Sequence, residues 1–73
     1  MGIYVMNKNA QSNGDHEVHN LSGGITHCLP NSENQITIGL HSSCGSAISA
    51  AKKKFPNYKI NGCFFCSSAC HTS

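Results

Sequence analysis

Three stretches of the chain space their apolar residues as strands do, and one spaces them as a helix does. Ile3, Tyr4, Val5 and Met6 form a short β-prone run that the turn chemistry of Asn7, Lys8 and Asn9 ends. From Gln35 to Leu40, the residues Ile36, Ile38 and Leu40 alternate with Thr37 and Gly39 in the two-residue period of a half-buried strand. Tyr58 and Ile60 alternate again into Asn61 and Gly62, a third strand. Between the last two, Ser42 or Ser43 can cap a helix whose apolar positions Cys44, Ala47, Ile48, Ala51 and Phe55 share one face. Pro56 stops it, because the residue before a proline is pushed toward extended geometry, and the spacing predicts a helix over 43–54. Residues 10–24 are polar and rich in Asn, Gly and His, and read as a loop carrying candidate ligands, continued by Leu29, Pro30 and Asn31. The order β, ligand loop, β, α, β, ligand turn predicts an α+β fold in one domain over 1–73. It has a small three-stranded sheet and one helix packed on it.

Length and composition narrow how such a fold could hold together. At 73 residues the chain is near the lower size at which an apolar core suffices unaided. Leu, Ile, Val and Phe number three, six, two and three, just under the fifth of residues below which chains drift toward disorder. A core this small contributes about 3–5 kcal/mol at best, and domains of this length usually add disulfides, a metal or a partner subunit. Five Cys and five His, set against five basic and three acidic residues, are the available staples.

Compartment and charge bear on the choice. Residues 1–20 contain no basic region followed by a long apolar run, so no secretory signal is visible. No stretch approaches the roughly 18 apolar residues of a membrane span. Met6 stands where a myristoylation signal needs Ser or Thr. The expectation is a cytoplasmic monomer without membrane association, whose thiols stay reduced. The net charge of +2 and the absence of Arg argue against nucleic acid, since Arg is the usual bidentate reader of guanine and phosphate. Lys52, Lys53 and Lys54 read as cations favoured by the negative end of the helix.

The chemistry-bearing residues then fall into two distant groups. Cys63 and Cys66 form a C-x2-C turn, whose sulfurs can both reach one ion at about 2.3 Å with tetrahedral angles, and Gly62 permits the tight path before it. Closing a long loop through a metal removes the most freedom from the unfolded chain, so the remaining ligands are sought in the segment holding His16, His19, His27 and Cys28. The expected set is His19, Cys28, Cys63 and Cys66 around one structural zinc ion, with Cys70, His71 and His16 as alternates. His27 ranks lower because adjacent residues seldom ligate one ion together. An odd count of five cysteines would leave one thiol over in a disulfide scheme. Cys44 reads as a small buried residue on the helix stripe, in the first turn where a thiolate would be stabilised, and His41 as a surface polar group.

Catalysis finds little to work with. Only seven residues follow Cys66, too short for the helix that lowers a thiol pKa in a redox C-x2-C site. His16-Glu17-Val18-His19 lacks one spacer of the H-E-x-x-H metalloprotease helix, and Asp15, Glu17 and Glu33 are the only acids.

The segments Gly14 to His19, Ser43 to Ala47 and Asn61 to Ser73 give the chain a resemblance to very short uncharacterised bacterial proteins rich in Cys and His, which imply no function. The layout of strand, ligand pair, strand, helix and C-x2-C is also similar to the Ada-type zinc-binding domain of DNA repair. That resemblance implies ligand pairs at His19 and Cys28 and at Cys63 and Cys66. The longer first gap, His at the first ligand, and the extra Cys44 and Cys70 set this chain apart, and the missing Arg removes the basic DNA face that phosphotriester repair requires. The expected function is a zinc-stabilised, non-catalytic binding or interaction module with an unknown macromolecular partner, a protein by preference. The alternatives are a thiol-reactive or redox protein using Cys28, Cys44 or Cys70, and a weak nucleic-acid binder using Lys52 to Lys54, Lys59 and Phe64 or Phe65.

Overall fold

The computed structural model describes residues 2–12, 14–23, 28–63 and 66–71. Within them the chain forms β1 (Gly2–Asn7), β2 (Asp15–Asn20), β3 (Gln35–His41), α1 (Cys44–Lys54) and β4 (Lys59–Gly62). The strands make one mixed sheet in the order β3-β1-β2-β4, with β1 antiparallel to both neighbours and β4 parallel to β2. The fold is thus α+β with one helix, but the sheet has four strands rather than the three expected.

The additional strand is β2, which lies inside the polar stretch read as a loop. Its sequence Asp-His-Glu-Val-His-Asn offers a single aliphatic residue, Val18, so the period-two signal is almost silent. Val18 and His19 are nevertheless both buried, at 0% and 1% exposure, one on each face of the sheet. An imidazole has taken an inward position that pattern reading reserves for Val or Ile.

The helix matches expectation closely. Ser43 has extended backbone geometry, and its hydroxyl accepts the Ser46 N–H at 3.3 Å, so it caps the first turn. Ala47 and Ala51 are fully buried, and their small side chains let α1 lie close to the sheet. Lys52, Lys53 and Lys54 occupy the last turn, the Phe55 N–H closes on the Ala51 carbonyl at 2.8 Å, and Pro56 follows. Tyr4, Met6 and Val18 from the sheet meet Ala47 and Ala51 in the apolar core, flanked by Ile36, Ile38, Ile48, Phe55 and Ile60.

Leu40, expected on the same face as Ile36 and Ile38, is instead 63% exposed. The cause is a bulge. The β1–β3 register jumps from Tyr4↔Gly39 to Val5↔Thr37, which leaves Ile38 as an extra residue, and Gly39 takes φ +115°. Leu40 then pairs with Ile3 and turns to the other face of the sheet, where Ile3 is itself 43% exposed. A Cβ at position 39 would meet nothing, so the glycine is required by its backbone angle and not by space.

Candidate metal centre

Alternation along the strands puts Tyr4, Met6 and Val18 under the helix and sends Val5 and His19 to the opposite face. Val5 and His19 are cross-strand partners and both are buried, although among the described residues no α-helix covers that side. Around His19 the neighbouring donors are sulfurs. The Cys63 N–H bonds the Val18 carbonyl at 3.0 Å, which carries the β2–β4 ladder one step beyond β4 and sets Cys63 beside His19. The chain then turns back, with Ser67 N–H on the Cys63 carbonyl and Cys70 N–H on the Ser67 carbonyl, both at 2.9 Å. Cys66 swings over His19, and Cys28 enters from the connection between β2 and β3.

His19, Cys28, Cys63 and Cys66 each present one donor atom, and these four atoms lie within 4.8 Å of one another. Donors held about 2.0–2.3 Å from a tetrahedral ion stand roughly 3.5–3.8 Å apart. His19 Nδ1 and Cys66 Sγ are already 3.5 Å apart, so the group needs only a small contraction to hold an ion. His19 and Cys63 are 1% exposed, while Cys28 and Cys66 are half-buried, so water reaches the group from the Cys28 and Cys66 side alone among the described donors. His19 Nε2 is buried with no hydrogen-bond partner among the described residues, an arrangement that is rare unless the ring has another strong interaction.

Electrostatics separate the imidazole from the thiols. Burial lowers the His19 pKa from its ordinary 6.5, so at neutral pH the ring is uncharged and its lone pair available. Burial, then hydrogen bonds and charge from Cys66 and Cys63, push the Cys28 thiol up to about 12. Cys66 is also raised, chiefly by burial, against which the Asn20 N–H, donating to its sulfur at 3.4 Å, favours the thiolate. Several thiols packed together without a cation hold their protons. A divalent cation reverses that balance, because a coordinating thiol is deprotonated outright. A Cys3His donor set of this kind fits a borderline-soft ion with four ligands.

The alternates lie elsewhere. Cys70 is joined to Cys44 in a disulfide with a Cα–Cα separation of 6.1 Å, inside the usual span of such bonds. Cys44 is therefore not the lone small core residue expected. Its place in the first turn of α1 faces the turn after Cys66, a meeting that spacing along the chain does not reveal. His71 donates from Nδ1 to the Gly62 carbonyl at 3.0 Å, and His16 from Nδ1 to the Asn7 carbonyl at 3.1 Å. His16 also stacks on Tyr58 with ring centroids 4.1 Å apart. His41, expected as a surface polar group, shares a 2.9 Å hydrogen bond between Nδ1 and Ser46 Oγ. His27, Phe64 and Phe65 lie outside the described residues.

A cavity of about 430 Å³ lies away from the sulfur centre, between the end of α1 and β4, where Phe55, Tyr58, Lys59 and Asp15 line it. Among the described residues no helix is long and apolar enough to cross a membrane. No protein-family model matches the chain, and neither the curated proteins nor the solved structures give a significant match.

Proposed function

We propose that this chain is a small binding or interaction module that one structural zinc ion holds together, and that it is not a catalyst. The observation that carries this reading is the convergence of four Cys and His donors from three separate chain segments onto one point on the face of the sheet opposite α1. Zinc is the ion that three thiolates and one imidazole in tetrahedral array suit best. Four protein ligands would leave no open position for a substrate, and the buried His19 and Cys63 leave little room for one. A protein partner is favoured by the apolar pair Ile3 and Leu40, cross-strand neighbours that remain well exposed.

The thiol-reactive alternative gains nothing from the centre itself. The raised Cys28 and Cys66 thiols make poor nucleophiles without a metal. Nucleic-acid binding is not favoured either, since Lys52, Lys53 and Lys54 already sit where the helix dipole holds them. A cytoplasmic location remains part of this reading. In that compartment a disulfide such as Cys44–Cys70 is usually transient rather than permanent.

Cobalt(II) in place of zinc tests the closed, non-catalytic site. The expected outcome is an intense tetrahedral visible spectrum with thiolate charge-transfer bands that excess azide or cyanide leaves unchanged. A spectrum that shifts on adding either anion would mean an open coordination position and would contradict a purely structural role.

A further inference from the structure

Two sulfur groups meet on one short turn. Cys63 and Cys66 point to the metal centre, and four residues later Cys70 is bonded to Cys44 at the start of α1. The backbone of β4 stands between them. Ile60 packs into the core under the helix, so alternation turns Gly62 to the helix side as well and Cys63 to the other. A Cβ at Gly62 would come within 2.9 Å of the Cys70 carbonyl carbon and Cβ and of the Ser67 carbonyl oxygen. Cys70 therefore lies against the helix side of β4, while its neighbours in the same turn serve the opposite side. Opening the disulfide would not bring Cys70 to the metal without dismantling that turn.

The disulfide also has the setting of an exchangeable bond. Cys44 and Cys70 are both partly exposed, unlike Cys63 at 1%. Cys44 is the first residue of an 11-residue helix, and no acidic residue stands in its first turn. A Cys44 thiolate would face the free N–H groups and the positive end of the helix, which makes it a good leaving group.

We propose that Cys44–Cys70 is a thiol–disulfide exchange site for dithiol reductants, and that its opening loosens the grip on the metal by releasing the turn that carries Cys63 and Cys66. In the first step one reductant thiolate bonds to Cys70 Sγ, the Cys44–Cys70 bond breaks, and Cys44 leaves as a thiolate. The second reductant thiolate then attacks its partner sulfur in the mixed disulfide and releases Cys70. Two electrons and two protons pass from the dithiol to the cysteine pair, and the reductant ends as its own disulfide. The consequence for the metal rests on the structural-zinc reading, whereas the exchange step does not.

The test uses the oxidised, zinc-loaded protein. Brief native treatment with dithiothreitol, followed by alkylation and peptide mass mapping, is expected to label Cys44 and Cys70 before Cys28, Cys63 and Cys66. Labelling in the reverse order, or no opening short of denaturation, would overturn the exchange site. Zinc release to a chromophoric chelator is then compared between oxidised protein and protein reduced with a phosphine. Release about tenfold faster after reduction is expected, and a Cys44→Ser, Cys70→Ser double variant should release at the fast rate with or without phosphine. Equal rates in oxidised and reduced wild type would overturn the coupling, a comparison that holds even if the double variant does not fold. Protein that carries no zinc in either state would instead refute the structural-zinc reading and the coupling with it, and leave the exchange site to be judged by the labelling order.

Discussion

The two faces of this sheet are buried by different means. Under α1, Tyr4, Met6 and Val18 meet Ala47 and Ala51 as an ordinary apolar core. On the other face Val5 and His19 are just as deeply buried, and the groups beside His19 are Cys28, Cys63 and Cys66. The helix face is stable because apolar area leaves water, and each side chain contributes in proportion to its size. On the sulfur face the thiol donors disfavour one another's ionisation until a cation is added. One face should therefore respond to mutation by degrees, and the other as a single unit.

The largest expected effect is on the sulfur face. Cys63→Ser keeps the size of the side chain but removes a ligand that is 1% exposed. Binding of structural zinc in small domains is worth about 10–16 kcal/mol at pH 7, which exceeds what a core of this size supplies. The variant should lose stoichiometric metal and fail to give a cooperative thermal transition by circular dichroism. A cooperative melt near that of wild type would show that the ligand is dispensable.

Met6→Ala makes the matching change on the helix face, where Met6 is fully buried. A loss of about 2–5 kcal/mol is expected from the cavity and the lost transfer energy. At saturating zinc the metal stoichiometry should stay at one, as metal analysis can check. Metal lost together with stability would mean that the two faces do not act separately.

pH sharpens the contrast because the groups of the sulfur face titrate and Met6, Val18, Ala47 and Ala51 of the helix face do not. Without metal, the Cys28 thiol is raised from 9.0 to about 12, so the folded chain holds a proton that the unfolded chain gives up sooner. Stability from this group is present below about pH 9 and is lost as pH rises from there toward about 12. The lowered His19 acts at the other end, and its contribution is lost as pH falls below the ordinary histidine value of 6.5. With metal, binding expels thiol protons, so stability should rise with pH between about 5 and 8. Denaturant melts of the zinc-loaded protein should show stability rising with pH between about 5 and 8, and a flat profile there would mean that metal binding expels no thiol protons.

The smallest effect concerns α1 alone. Ser43→Ala removes the hydroxyl that accepts the Ser46 N–H. A loss of about 1 kcal/mol is expected in a denaturant melt, with zinc affinity unchanged. A loss several times larger would mean that Ser43 also supports the Cys44–Cys70 link.

How much of this was legible in the chain follows the same division. The helix face could be read because its signals are the usual ones: Cys44, Ala47, Ile48 and Ala51 at helical spacing, Ser43 before them and Pro56 after. The donor group His19, Cys28, Cys63 and Cys66 could be assembled from ligand chemistry and from the preference for long closed loops, and the structure brings those four together. β2 could not be seen, because on the sulfur face a strand keeps its inward position with His19 in place of an aliphatic residue. Leu40 was misplaced because alternation cannot count the extra residue of a bulge. The Cys44–Cys70 link depends on where α1 sets its first turn against a distant loop, which neither local spacing nor composition encodes.

The most direct test is a two-dimensional amide NMR spectrum of the zinc-loaded protein, recorded before and after a strong chelator removes the ion. If the cation is the core of the second face, the amides of Val18, His19, Cys63 and Cys66 should lose their dispersed positions on chelation. The rest of the spectrum should collapse with them and return when zinc is restored. A metal-free spectrum that keeps the dispersion of those four residues would contradict the claim that the sheet face opposite α1 is built around a metal.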